Sequence, residues 1–317
     1  MAEEKIDIKA LEREVEGLYR KHLVARITFK GVTPWWGGDY EGRTSRWVDE
    51  DEIAGRLRWF LRTVYNRFCA NNLKNYSESE KWVSQVLGGT SGRSIYLFRT
   101  RIPISSLGEQ EKGNYRDLER VKLFMQGKHE TDELLPIDVE QLVVEVLRTT
   151  EDKTYDGLIV GGLLITLAFL GVGKGANRGF GRFVPSDYEN ECEKLAIAEA
   201  KEICEDVRQG KIKEAFNKFY DVFKSSVVLK DRTKCDKENS WENSSVPLAP
   251  STGNGLDSIK EVDCMFPNVL NALAAIGRSV LKSEIKRIVF GSESVDWPGP
   301  FIHTWVFGLP RHSKAPE

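Results

Sequence analysis

Residues 171–183, Gly-Val-Gly-Lys-Gly-Ala-Asn-Arg-Gly-Phe-Gly-Arg-Phe, place five glycines among Lys174, Arg178 and Arg182 directly after an uncharged apolar segment. Glycine brings main-chain N–H groups close to an anion with no Cβ in the way, and basic side chains add charge to such a nest of donors. The chemistry this predicts is phosphate binding by Gly173, Lys174, Gly175, Asn177, Arg178, Gly179, Gly181 and Arg182. The competing reading is a glycine-rich turn between a helix and a strand, with its charges in water. Two nucleotide loops are excluded. A mononucleotide P-loop needs Ser or Thr after its lysine, and Gly175 follows Lys174. A dinucleotide fingerprint runs from strand to helix, whereas here 155–170 reads as helix and 180–184 as strand.

Two further stretches could meet an anion or a base. Ile53 through Ser77 holds Arg56, Arg58, Arg62, Arg67 and Lys74 and no acidic residue. Gly55, Arg58 and Arg62 fall at i, i+3 and i+7 and share one flank of a helix, which points to anion binding rather than a mixed, solvated face. Residues 35–47 carry three tryptophans with Arg43 and Arg46. Trp35 and Trp36 are candidates to stack on unpaired bases, with the arginines pairing phosphate; otherwise the indoles pack the loop onto a sheet.

These same residues carry a resemblance. Gly173 to Gly181, with its Arg178-Gly179-Phe180-Gly181 ending, resembles the glycine-rich signature of the RAMP proteins of CRISPR systems. Thr33-Pro34, Gly37-Gly38 and Ile53-Ala54-Gly55-Arg56-Leu57-Arg58-Trp59-Phe60-Leu61-Arg62 are similar to the pattern of the first RAMP subunit of the Cmr (type III-B) effector complex. The likeness covers roughly 22–185, with a weaker match at Gly308-Leu309-Pro310-Arg311. Ala54 departs from the pattern, which usually has Arg there, so that one basic contact is missing or moved to Arg56. The resemblance implies tandem ferredoxin-like modules, the second reduced or divergent. It also implies CRISPR guide RNA, complementary target RNA and the other Cmr subunits as partners. No cofactor is implied, and target cutting would lie in other subunits.

The elements that must position these residues are legible in outline. Residues 7–18 have a helical charge pattern, and 22–31 alternate as a half-buried strand. Asp49 to Glu52 supply the acidic start of a helix reaching about Phe68. A helix near 77–86, a strand over 95–104, an insertion near 105–135, a strand over 137–147, the apolar helix and the strand at 180–184 complete a β-α-β-β-α-β order, the split βαβ arrangement. Domains are expected at 1–186 and 187–317. The second is read as helices over 187–209 and 212–223, a short strand at 227–229, a helix over 267–281 and strands at 285–290 and 301–307.

With 317 residues and a formal net charge of −2, any nucleic-acid site is a local basic patch on a near-neutral body. Cys69, Cys192, Cys204, Cys235 and Cys264 form no C-x-x-C pair, which points to free thiols in a reducing cytoplasm. No export signal is expected at the N-terminus, and the apolar window 157–173 is short for a membrane span. The sequence offers no clustered aspartates and no nucleophile elbow, and His22, His129, His303 and His312 are dispersed. A non-catalytic RNA-binding subunit is therefore expected. The alternatives are a metal-independent endoribonuclease of the same superfamily and a purely structural subunit.

Overall fold

The computed structural model describes residues 8–37, 48–90, 92–101, 115–118, 121, 135–231, 235, 238–253, 258–259 and 266–281. Helix α1 (Ile8–His22) leads into β1 (Leu23–Gly31), followed by α2 (Glu50–Phe68), α3 (Ser77–Leu87) and β2 (Tyr96–Arg101). Then come β3 (Gln141–Arg148), α4 (Asp156–Ile165), β4 (Phe183–Pro185), α5 (Ala198–Arg208), α6 (Ile212–Asp231) and α7 (Val269–Leu281). The class is α+β, with a four-stranded antiparallel sheet ordered β2-β3-β1-β4. Each crossover, β1 to β2 and β3 to β4, skips over one strand, so this sheet has the split βαβ connection.

Local chemistry accounts for the elements that hold the site. Asp49 caps α2, its carboxylate accepting from the Asp51 N–H at 2.7 Å, and Glu50, Asp51 and Glu52 sit at the positive end of the helix dipole. Ile53, Leu57, Phe60, Leu61 and Val64 recur at helical spacing and are buried against Ile27, Phe29, Val144 and Val146 of the sheet. Helix α4 is apolar all round because it has neighbours on every side. It packs on α2, α5 and α6, and a Cβ on Gly161 would come within 2.8 Å of Ile203 in α5. The core built on the sheet also includes Ile203, Phe216, Phe219 and Phe223 of α5 and α6.

Three expectations are corrected. The strand at 227–229 is the last part of α6, whose buried Phe216, Phe219, Phe223 and Val227 keep the helical period past the β-branched pair. The helix expected over 187–209 begins only at Ala198. Ser186 and the positive φ of Asn190 (49°) confine the first part to a short 3-10 turn. The thiols are not all free: Cys69 is bonded to Cys235, and Cys192 to Cys204. The first pair is 166 residues apart and is made by the return of the chain over α2, where Asn239 N–H donates to Arg67 O and Ala249 N–H to Thr63 O. Spacing in sequence does not announce such a pair, and the cysteines no longer argue for a reducing compartment. The strands expected at 285–290 and 301–307 lie outside the described residues. Among the described residues, no helix is long and apolar enough to cross a membrane.

Candidate nucleic-acid interface

The two sequence motifs are one structure. Helix α4 ends in a wide turn through Thr166–Leu170, closed by Gly171 N–H on Thr166 O at 2.8 Å. The loop then folds back on itself, Val172 N–H meeting Gly181 O at 3.0 Å, and Thr33 to Trp36 runs alongside both arms. Gly181 N–H donates to Pro34 O, Lys174 N–H to Trp36 O, and Arg182 N–H to Thr33 Oγ1. All five loop glycines have positive φ. Three of them also admit no side chain on grounds of space: a Cβ would sit 2.0 Å from Val172 O at Gly181, 2.5 Å from Phe180 O at Gly171 and 2.7 Å from Trp36 O at Gly173.

This construction uses most of the loop's amides internally. Besides the donors named, Arg178 N–H and Phe180 N–H go to Gly175 O, and Gly179 N–H to Ala176 O. Side chains must therefore supply much of any anion site. Asn177 is exposed, and its Oδ1 accepts from Arg56 Nη2 at 2.7 Å; the same Arg56 nitrogen reaches Leu170 O at 3.2 Å. The Arg182 guanidinium lies beside them, with only long contacts of 3.5 Å to Ala168 O and Ala176 O. Both arginines thus lie at the carbonyl end of α4 and its wide turn, where cations are favoured. They also oppose each other. Burial lowers the pKa of Arg56, and burial, then the charge of Arg56, brings Arg182 down to about 10. Neither has a carboxylate within ion-pair distance among the described residues, and Arg56 Nε is buried with no acceptor.

The remaining expected residues separate into groups. Lys174 is half-buried beside the loop, whereas Arg178 is 2% exposed and belongs to the loop's interior. Arg58 and Arg62 turn away to α3: Arg62 Nη1 meets Glu80 Oε2 at 2.8 Å, Arg58 Nη1 lies 3.8 Å from Glu80 Oε1, and Arg58 Nη2 donates to Leu87 O. The member of the basic run that meets the loop is Arg56, a role foreshadowed by the departure at Ala54. Arg62→Ala is expected to cost about 0.2–1 kcal/mol in chemical denaturation, as a half-exposed ion pair does, and to leave RNA affinity within about twofold.

Base stacking by the tryptophans is also corrected. Trp35 and Trp36 are 0% and 1% exposed, Trp35 Nε1 donates to Glu52 Oε2 at 3.1 Å, and Trp36 rests on Phe180 with ring centroids 5.6 Å apart. Trp36 and Phe180 form a small second core with Tyr115, Leu118, Val121, Leu135 and Leu273 of α7, and Trp35 belongs to the core built on the sheet, so both indoles pack the loop in place of presenting a face for stacking. Arg43 and Arg46 lie outside the described residues.

For catalysis, His22 is fixed by a 2.7 Å bond between Nδ1 and Arg148 O, and His129, His303 and His312 lie outside the described residues. Among the described residues no group of three or more His, Cys, Asp or Glu is placed to hold a metal ion.

Residues 28–184 match the family model of the RAMP superfamily. No curated protein matches the sequence. Among solved structures, Cmr1 from Pyrococcus furiosus is 16% identical with a TM-score of 0.49, the match covering 87% of this chain and 78% of that one. A chain of the type III-B Cmr-beta complex bound to cognate target RNA is 12% identical with a TM-score of 0.49, over 69% of this chain and 66% of that one. A second such chain, from the complex with cognate target RNA and AMPPnP in the presence of ssDNA, is 14% identical with a TM-score of 0.46, over 70% and 66%.

Proposed function

We propose that this chain is a non-catalytic RNA-binding subunit of a CRISPR Cmr effector complex, contacting the 3′ region of the guide RNA, the complementary target, or both. The observation that carries the reading is the Arg56–Arg182 pair. Two partly desolvated like charges, one with an unused donor, are held together with no carboxylate among the described residues to balance them. A phosphodiester set against them offsets the repulsion. Asn177 adds a neutral amide donor, and Lys174 a half-buried charge within the loop. Arg58 and Arg62 contribute to the α2–α3 junction instead. The reading includes two modules, 1–186 and 187–317, the second a reduced ferredoxin-like unit, with the other Cmr subunits as partners in assembly. Incubation of the full chain with labelled single-stranded RNA, resolved on a denaturing gel, tests the non-catalytic part. Intact RNA is expected, and discrete metal-independent fragments would replace this reading with the endoribonuclease.

A further inference from the structure

The last turn of α1 fastens it to the sheet. The Tyr19 phenol hydrogen-bonds the Glu145 carboxylate of β3, Nδ1 of His22 meets Arg148 O at 2.7 Å, and Lys21 pairs with Glu151 at 2.7 Å. The turns before it stand in the open. Every residue from Glu12 to Leu18 is exposed, Val15 to 57% and Leu18 to 54%. A helix of 15 residues is marginal in water unless an apolar face is packed, and the face that Val15 and Leu18 would pack is uncovered among the described residues.

Charge selects what covers it. Val15 and Leu18 border an open groove of about 740 Å³ between α1 and the sheet, whose far wall carries Arg26, Arg99 and Arg101. RNA would satisfy those arginines but would face Glu12 and Glu16 on the α1 wall, and its phosphates would gain nothing from two exposed aliphatic side chains. An amphipathic helix that carries acids suits both walls, and α1 is itself such a helix, with Glu12, Glu14 and Glu16 around Val15. Its charges are also arranged to meet a copy of themselves. Glu14 and Lys21, seven residues apart, flank the same edge of the Val15–Leu18 stripe. When two such helices lie antiparallel, Val15 of one falls opposite Leu18 of the other, Glu14 opposite Lys21, and a two-fold axis makes each contact twice. Glu14 makes no ion pair among the described residues, so its carboxylate is available for this one.

We propose that α1 is a self-association surface, through which two copies of this chain form a two-fold dimer with their α1 helices antiparallel. The dimer does not depend on the RNA-binding reading.

The test is sedimentation velocity of the full chain over a concentration series. The wild type is expected to sediment as a dimer, and Leu18→Glu as a folded monomer. Glu14→Lys and Lys21→Glu should each weaken the dimer about tenfold, since each turns two attractions into repulsions. The double variant should regain wild-type association, because the pair is re-formed with its signs exchanged. A wild type that stays monomeric at every concentration, a dimer indifferent to Leu18→Glu, or a double variant as weak as the single ones would overturn the proposal. Both charge reversals are at exposed positions and decide even if Leu18→Glu does not fold.

Discussion

Arg182→Met is expected to weaken binding of single-stranded RNA about tenfold or more while leaving thermal stability unchanged or raised. The two effects have one cause. Because burial, and then the charge of Arg56, push the folded pKa of Arg182 down to about 10, the folded state holds that proton less tightly than the unfolded chain does. The charge therefore opposes folding at neutral pH, and the penalty fades only as pH rises above about 10 towards the ordinary arginine range. Methionine removes the penalty and keeps much of the side chain's volume, as replacements of buried charges by apolar groups often show. The phosphate loses a charge-assisted contact, which contributes about 1.5–3 kcal/mol. Calorimetry and anisotropy on the same preparation check both halves. A marked drop in Tm with unchanged affinity would make Arg182 a cap on the end of α4 and nothing more.

Gly181→Ala is expected to lose about 3 kcal/mol of stability, measured as a shift of the urea midpoint at constant m, and with it most RNA binding. Its φ of 64° lies in the left-handed region, where a side chain costs about 1–2 kcal/mol. Its Cβ would also fall 2.0 Å from Val172 O, a backbone atom that cannot swing aside. Relief of that clash disturbs the bonds from Gly181 N–H to Pro34 O and from Val172 N–H to Gly181 O, each contributing about 1 kcal/mol. Those two bonds fix the loop between α4 and the Thr33–Trp36 segment. An alanine variant with unaltered midpoint and affinity would show that the loop tolerates a different path and does not position the arginines.

Much of this arrangement was legible in the sequence, for identifiable reasons. Alternation in β1, acidic residues at the start of α2 and the apolar run of α4 are local patterns, and each marked its element. The β-α-β-β-α-β order then implied the sheet. What failed depended on contacts across the chain. Arg58 and Arg62 were read as one basic flank because sequence shows the helix but not Glu80, which arrives on α3 to neutralise them. Trp36 is buried by Phe180 and by chain from the insertion and α7, and Trp35 by the core on the sheet, none of it adjacent in sequence. The Cys69–Cys235 bond depends on a segment returning over α2.

The central claim is that the loop and its arginine pair bind the RNA backbone, and the salt dependence of RNA affinity tests it most directly. Affinity of the full chain for a single-stranded RNA should fall with a log–log slope of about −2, as three phosphate contacts by Arg56, Arg182 and Lys174 require at roughly −0.7 each. In the Arg56→Met, Arg182→Met double variant the slope should shrink by about 1.4, to well below −1 in magnitude. A slope that is the same in both proteins, or wild-type binding that does not respond to salt, would contradict the account.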